Sequence, residues 1–235
     1  MKVKRTHDDL YLSEKRYKKP KQSFLEFLKL IRPIKNKNIL KVLDIDCANG
    51  ELIFNLNRNY NFFEIVGYDT DTKLINLCKS KFNKFARFKK VDIAKKINIK
   101  EKFDIVIISG VISIFDSLDI IFKNLIKLLN KKGKIFIFNH FNEYPIEVLI
   151  KYRTNDKNSR FLQSGWNIHS IAKIKRYFER VGFKIKQHKF RPIKGIKRHR
   201  KDPVRSWTFK NDKKENLITN GLSILQNQFW LEIYR

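Results

Sequence analysis

The chain has 235 residues, with 52 Lys and Arg against 23 Asp and Glu, and a formal net charge of +29. That length can bury one large core with elaborations, so one domain is expected over residues 1–235, with a helical cap at 1–37 and insertions at 140–167 and 191–227. No apolar run approaches the ~18 residues of a membrane span, and the first residues carry charge where a signal peptide needs an apolar segment, so the expected location is cytoplasmic.

In chain order, Phe24, Leu25, Phe27, Leu28 and Ile31 recur at helical spacing, and Pro33 ends that helix. Ile39–Ile45 reads as a buried strand, Glu51–Asn59 as a helix, Phe63–Tyr68 as a second strand and Thr72–Phe82 as a second helix. Phe85–Lys90 is a third strand interrupted by Lys and Arg, and Phe103–Ser109 is a continuous apolar run of the kind parallel sheets bury on both faces. A helix over Leu118–Leu129 turns at Lys132-Gly133 into the strand Lys134–Asn139. After a polar, aromatic-bearing stretch from His140 to Asn167, Ile168–Val181 forms a helix closed by Gly182. Gly182–Phe190 and Gln228–Arg235 read as strands, and Ser206–Thr219 between them as a hairpin turning on Asn211-Asp212-Lys213-Lys214. The alternation predicts a doubly wound α/β architecture around a parallel sheet.

The run LKVLDIDCANGEL, Leu40 to Leu52, is the most informative segment. A buried strand ends in an acid, turns tightly and opens a helix, whose free N–H groups and dipole meet polar or anionic ligand atoms. Cys47 and Cys78 lack metal-ligand spacing or a disulfide framework, so both read as small reduced core residues and no metal is expected. The excess of Lys accompanies abundant Asn, Ile and Phe and only 8 Gly. AT-rich coding spreads such a bias over any solvated face, so charge alone does not assign a polyanion partner. Gln187–Lys201 is denser, with nine Lys, Arg or His and no acid. It is a candidate phosphate-holding segment, with a solvated loop as the alternative.

Four features in this order resemble the class I S-adenosylmethionine-dependent methyltransferases over about residues 38 to 190. VLDIDCANG resembles the family's first motif, an Asp followed by alternating glycines. VGYDTD, Val66 to Asp71, is similar to the second, whose strand-end acid binds ribose hydroxyls. VDI, Val91 to Ile93, sits where an acid and its neighbour meet the adenine, and FDIVIISGVI followed by LLNKKGKIFIF resembles the fourth strand, its helix and the fifth strand. The resemblance implies a Rossmann-like sheet of seven strands, the last antiparallel, with helices on both faces. It also implies S-adenosyl-L-methionine as cofactor, held by Asp44, Asp46, Ala48, Gly50, Asp69, Thr70, Asp92, Ile93, Ser109 and Gly110. A carboxylate such as Asp69 can accept both bonds of a vicinal diol. Asp69, Thr70 and Asp71 also suit a helix N-cap, and Asp92 also suits a loop acid.

The chain departs from the pattern at Asp46, which stands where the family has its first glycine, and at Ala48, which replaces the second. Asp tolerates the left-handed conformation better than most residues, and its carboxylate would either pair with the cofactor ammonium or crowd the cofactor carboxylate.

SGVI after the fourth strand lacks the Asn/Asp-Pro-Pro-aromatic clamp of base-amine methyltransferases, and no Pro-Cys nucleophile is present. A small anionic acceptor, methylated on oxygen, is therefore the favoured reading. His140 follows the fifth strand with an imidazole suited to proton acceptance. Tyr144, Trp166 and His169 are weaker candidates, and Arg153, Arg160, Arg191, Arg198, Arg200 and Arg205 could grip a phosphate. The segment DPVRSWTF…NGL…QFWLEIYR resembles the tail of bacterial methyltransferases found with surface-polysaccharide biosynthesis, which points to a capsule or other glycan precursor. An RNA methyltransferase using the basic surface is the alternative, and a non-catalytic member of the fold is a third reading.

Overall fold

The computed structural model describes residues 10–14, 17, 19–32, 39–154, 162–200 and 202–235. Pro33, Arg160 and all the residues before Leu10 therefore lie outside the described residues. Its elements run α1 (Leu10–Ser13), α2 (Gln22–Ile31), β1 (Leu40–Ile45), α3 (Glu51–Asn59), β2 (Phe63–Asp69), α4 (Thr72–Phe82), β3 (Ala86–Lys90) and β4 (Phe103–Ser109). A 3-10 turn (Ile112–Ile114), α5 (Asp119–Leu128) and β5 (Leu129–Asn142) follow, then the two-residue strands β6 (Lys151–Tyr152), β7 (Gln163–Ser164) and β8 (His169–Ser170). The remainder is α6 (Ile171–Arg180), β9 (Lys184–Phe190), β10 (Trp207–Lys210), β11 (Asn216–Thr219) and β12 (Gln228–Tyr234).

The main sheet has the strand order β3-β2-β1-β4-β5-β12-β9. The first five strands are parallel, as their buried apolar runs require, and β12 lies antiparallel between β5 and β9. Strand side chains alternate between faces, and two cores result. Leu43, Ile45, Val106 and Ile108 meet α5 and α6 through Phe122, Leu125, Ile174 and Phe178. Val42, Ile105, Ile107 and Trp230 meet α2, α3 and α4 through Phe27, Ile53, Leu56 and Cys78. Trp230 is fully buried, stacked on Phe27 at 4.7 Å, and its indole N–H donates to the Ser23 carbonyl at 3.1 Å. That contact fastens α2 to the middle of the antiparallel half of the sheet. Cys47 and Cys78 are free and buried, as expected.

Three boundaries differ from the sequence reading by three residues or more, and one of them is the end of the fifth strand, which runs on to Asn142 and takes in His140. The fifth strand starts at Leu129 rather than Lys134, because Leu129 pairs with Phe103 and the Lys132-Gly133 segment is absorbed as a register shift. The helix expected from Ile168 starts at Ile171, where the Ser170 hydroxyl caps it by accepting from the Lys173 N–H. Ile168 and His169 instead bridge to Val148 and Phe141. The hairpin forms as expected, with Trp207 opposite Thr219. Among the described residues no helix is long and apolar enough to cross a membrane.

Gly67, in the middle of β2, shows how tightly the second of these cores packs beneath the loop after β1. A Cβ there would stand 2.7 Å from Ile53, 2.8 Å from Phe88 and 2.9 Å from Cys47. Gly67→Val suits strand backbone but overfills this space, and is expected to destabilise the protein by about 1–3 kcal/mol. An unchanged urea midpoint would contradict that packing.

Candidate active site

β1, β2 and β4 all end on one side of the sheet, where ligands of open α/β sheets bind. The loop after β1 alternates its backbone, with Asp46 at φ 59°, Ala48 at φ 48° and Gly50 at φ 78°. These are the three positions at which the first motif carries glycines, and the left-handed conformation persists although two have gained side chains. Only Gly50 has no room for one, since a Cβ there would lie 2.8 Å from Phe82.

Asp69, buried at the end of β2, holds this loop. Its Oδ2 accepts the Ala48 N–H at 2.9 Å and its Oδ1 accepts the Asp71 N–H at 2.8 Å. The N-cap of α4 is Asp71, which accepts from the Lys73 N–H at 2.7 Å, so the capping role that the sequence left open among Asp69, Thr70 and Asp71 falls to Asp71. Asp44 is buried nearby. Burial first, then the charges of Asp46 and Asp69, push its carboxyl well above the usual carboxylate range.

A cleft at these strand ends is lined by Asp44, Asp46, Ala48, Asp69, Thr70, Ser109 and Gly110 from the expected set. Gly50, Asp92 and Ile93 stand outside it. Asp92 serves its own loop, accepting the Ala94 N–H at 3.1 Å and facing Lys95 at 3.8 Å. Ile93 is a core residue whose carbonyl accepts from Asn124. The cleft gathers five acidic side chains, Asp44, Asp46, Glu51, Asp69 and Asp71, and the Asp44 anion is disfavoured first by burial and then by the charges of Asp46 and Asp69. A ligand bearing cationic groups relieves that repulsion, and the ammonium and sulfonium of S-adenosylmethionine are groups of this kind.

Tyr11, Lys21 and Asn49 also line the cleft, the last two with no local pattern in the sequence to mark them. The Asn49 amide donates to the carbonyls of Tyr11 and Glu14, both at 3.1 Å, while Tyr17 donates its hydroxyl to the Asn49 carbonyl at 3.0 Å. The N-terminal segment is thereby strapped onto the loop after β1. Glu14 in turn pairs with Arg205, whose Nε donates to Asp202 Oδ2 at 3.1 Å.

A second cavity of about 470 Å³ adjoins the first, and Tyr11, Lys21 and Gly110 line both. Its walls include Lys19, Lys197, Asn139, His140, Trp166 and Asp202. His140 Nε2 lies 3.1 Å from the Trp166 carbonyl, and the two rings stack at 5.5 Å. Burial pulls the His140 imidazole down to about 4, which makes it a weak proton acceptor. Trp166 sits at φ 63°, a strained conformation for a bulky residue that persists only where its surroundings impose it.

The other acceptor-side candidates divide clearly. Tyr144 is 72% exposed and lines neither cavity. His169 is a packing residue, its Nδ1 at 3.1 Å from Glu147 and its Nε2 facing the carbonyls of Ile112 and Phe115. Of the arginines, Arg205 lines the second cavity, whereas Arg198 lies over the Trp207 ring at 4.4 Å and Arg191 faces Glu215 at 3.8 Å. Among the described residues no cluster of His, Cys, Asp or Glu could hold a metal ion.

A methyltransferase-domain family model matches residues 36–193, and the chain belongs to that family. Its fold is that of class I S-adenosylmethionine-dependent methyltransferases. A putative S-adenosylmethionine-dependent methyltransferase from Listeria monocytogenes superposes with a TM-score of 0.62 at 12% identity, covering 92% of this chain and 99% of that one. A glycopeptide N-methyltransferase complexed with S-adenosylmethionine gives 0.57 at 13% identity, covering 90% and 92%. In sequence, a tRNA U34 carboxymethyltransferase of Campylobacter jejuni is 28% identical over 172 residues, 69% of this chain and 56% of its own length. A ubiquinone biosynthesis O-methyltransferase of Pelagibacter ubique is 32% identical over 108 residues, 45% of this chain and 43% of its own. The chain thus spans about half the length of these curated relatives.

The depressed His140 imidazole couples folding to pH. The folded protein binds this proton only near pH 4, against an ordinary value of 6.5. The neutral ring therefore contributes stability above pH 6.5 that is lost as pH falls toward 4, by about 3 kcal/mol in all. His140→Gln should flatten the stability curve across that window in urea titrations. Parallel curves for the two proteins would overturn the assignment.

Proposed function

We propose that the protein transfers a methyl group from S-adenosylmethionine to a hydroxyl oxygen of a small, phosphate-bearing metabolite, such as a precursor of surface polysaccharide. What supports this reading is the pair of adjoining cavities, one lined by Asp44, Asp46 and Asp69 and the other carrying Lys19 and Lys197, with Lys21 on both. The first suits a cationic cofactor and the second an anionic acceptor. A cavity of about 470 Å³ is also of the size that encloses small ligands.

In this reading Asp69 accepts the ribose hydroxyls while its two backbone bonds hold the loop in place. Ser109 and Gly110 line the methionine arm, and Gly110 marks the point where the cavities meet. The cofactor supplies an electrophilic methyl on a sulfonium, and the chain holds the acceptor oxygen in line with it and excludes water. His140 is not the base in this proposal: burial weakens it, and its ring instead supports Trp166.

RNA is the second reading, favoured by the net charge of +29 and by the relative named for tRNA. Methyl transfer to a panel of nucleotide sugars and phosphorylated metabolites, run beside transfer RNA, separates the two. Turnover of the small acceptors supports the proposal. Modification of RNA alone, with affinity falling steeply in salt, would replace it.

Asp69→Ala should weaken S-adenosylmethionine roughly 10- to 100-fold in calorimetry, the loss of a charge-assisted pair of bonds. Unchanged affinity with an intact circular dichroism spectrum would remove Asp69 from the site. Asp46→Gly has the opposite expectation. At φ 59° the substitution relieves backbone strain of ~1 kcal/mol, so affinity should hold or rise. A large loss would instead make the Asp46 carboxylate a direct partner of the cofactor ammonium.

A further inference from the structure

The second cavity contains a polar set that an anion alone does not explain. Its wall carries the cations Lys19, Lys21, Lys197 and Arg205 and, as its sole acid among the described residues, Asp202. Asp202 is 1% exposed; Arg205 satisfies its Oδ2 at 3.1 Å, yet its Oδ1 is buried without a partner. Asn139, 4% exposed within β5, accepts the His140 N–H on its Oδ1 at 2.9 Å and leaves its Nδ2 buried without a partner. His199 adds a third such atom, Nδ1. Native interiors rarely leave such atoms unpaired, and each calls for a reason.

The groups come from two separate parts of the chain, Asn139 from β5 and His199 with Asp202 from one turn, and border one cavity. Asp202 can only accept, while the Asn139 amide nitrogen can only donate. A phosphate accepts only, so it suits Asn139 and the lysines but is repelled by Asp202. A hydroxyl both donates and accepts, so neighbouring hydroxyls satisfy Asp202 and Asn139 together. Beside them the Trp166 ring, held at φ 63° and backed by His140, presents a broad apolar surface.

We infer that this cavity is a polyol clamp: Asp202 and Asn139 read hydroxyls of a sugar-like ring lying against Trp166, while the lysines hold its phosphate. The inference rests on the proposed small-molecule function and names its substrate class. Asp202 and Asn139 become the residues that set specificity. Sites built to bond a hydroxyl reject analogues lacking it far more strongly than apolar pockets reject a change of size.

Binding by calorimetry tests this without requiring turnover. Glucose 1-phosphate, mannose 1-phosphate and myo-inositol 1-phosphate are compared with cyclohexyl phosphate, which keeps the ring and anion but lacks ring hydroxyls, all with S-adenosylhomocysteine present. At least one hydroxylated probe should bind about tenfold or more tightly than cyclohexyl phosphate. Asp202→Asn, which keeps the shape and the bond to Arg205, should erase that difference and leave cyclohexyl phosphate unchanged. Asn139→Leu repeats the test from another element. Equal binding of all probes, binding by none of the hydroxylated ones, or equal losses for every probe in the variants would overturn the clamp. Failure to bind S-adenosylhomocysteine would instead strike the cofactor reading, and is seen separately in the same titrations.

Discussion

The Asp69 carboxylate is the tie on which the cofactor side of the molecule depends. It is buried at a strand end and spends one oxygen on the Ala48 N–H and the other on the Asp71 N–H. The two loops that form the cleft are thereby fixed to each other by charge-assisted bonds in a poorly solvated place, where such bonds are strong. The loop after β1 is costly in itself, with three of its five residues in the left-handed region. A single side chain reaching across from β2 stabilises that backbone, and Asn49 extends the connection to the N-terminal segment. From one carboxylate the arrangement spreads to both cavities.

The positions at which glycines were replaced show what this tie accomplishes. At Asp46 and Ala48 the conformation survives the addition of a Cβ, so the turn is imposed by its neighbours and not by residue type. At Gly50 there is no such freedom, because Phe82 and Cys78 of α4 fill the space a side chain would need. Loop geometry and helix packing thus meet at a single residue. The replaced glycines alter the charge of the cleft without altering its course.

The central strands were legible because each is a run of apolar residues buried on both faces, a pattern a sequence displays locally. β1, β2 and β4 carry it plainly, and the strand-end acids Asp44 and Asp69 could be placed from it. The fifth strand was read too short because Lys131, Lys132 and Gly133 look like a turn, whereas Leu129 is drawn back into the sheet by Phe103. Asp92 was ambiguous for a related reason: an acid after a strand serves its own loop as readily as a ligand, and here it accepts the Ala94 N–H. The strap and the second cavity rest on partners far apart in the chain. Glu14 and Arg205 are separated by 191 positions and Gln22 and Lys194 by 172, and no local pattern announces such pairs. The same distance explains Arg198, which looked free to grip a phosphate and is instead laid over Trp207.

The placement of β12 bears on how the protein comes to be folded. This strand is flanked on both sides, by β5 and β9, yet it follows both of them in the chain. During synthesis β1 to β4 can assemble early, the pairs β1–β2 and β2–β3 each linked by its own helix, while β5 waits with an unpaired edge. β9 has no place in the sheet until residues 228–234 arrive, and Trp230, which closes one core against Phe27, arrives with them. The nascent chain therefore passes through a stage with an exposed edge and an unfilled core, the state most open to pairing with another copy. Completion of the sheet is a late, long-range event, and slow by the entropy of joining distant segments.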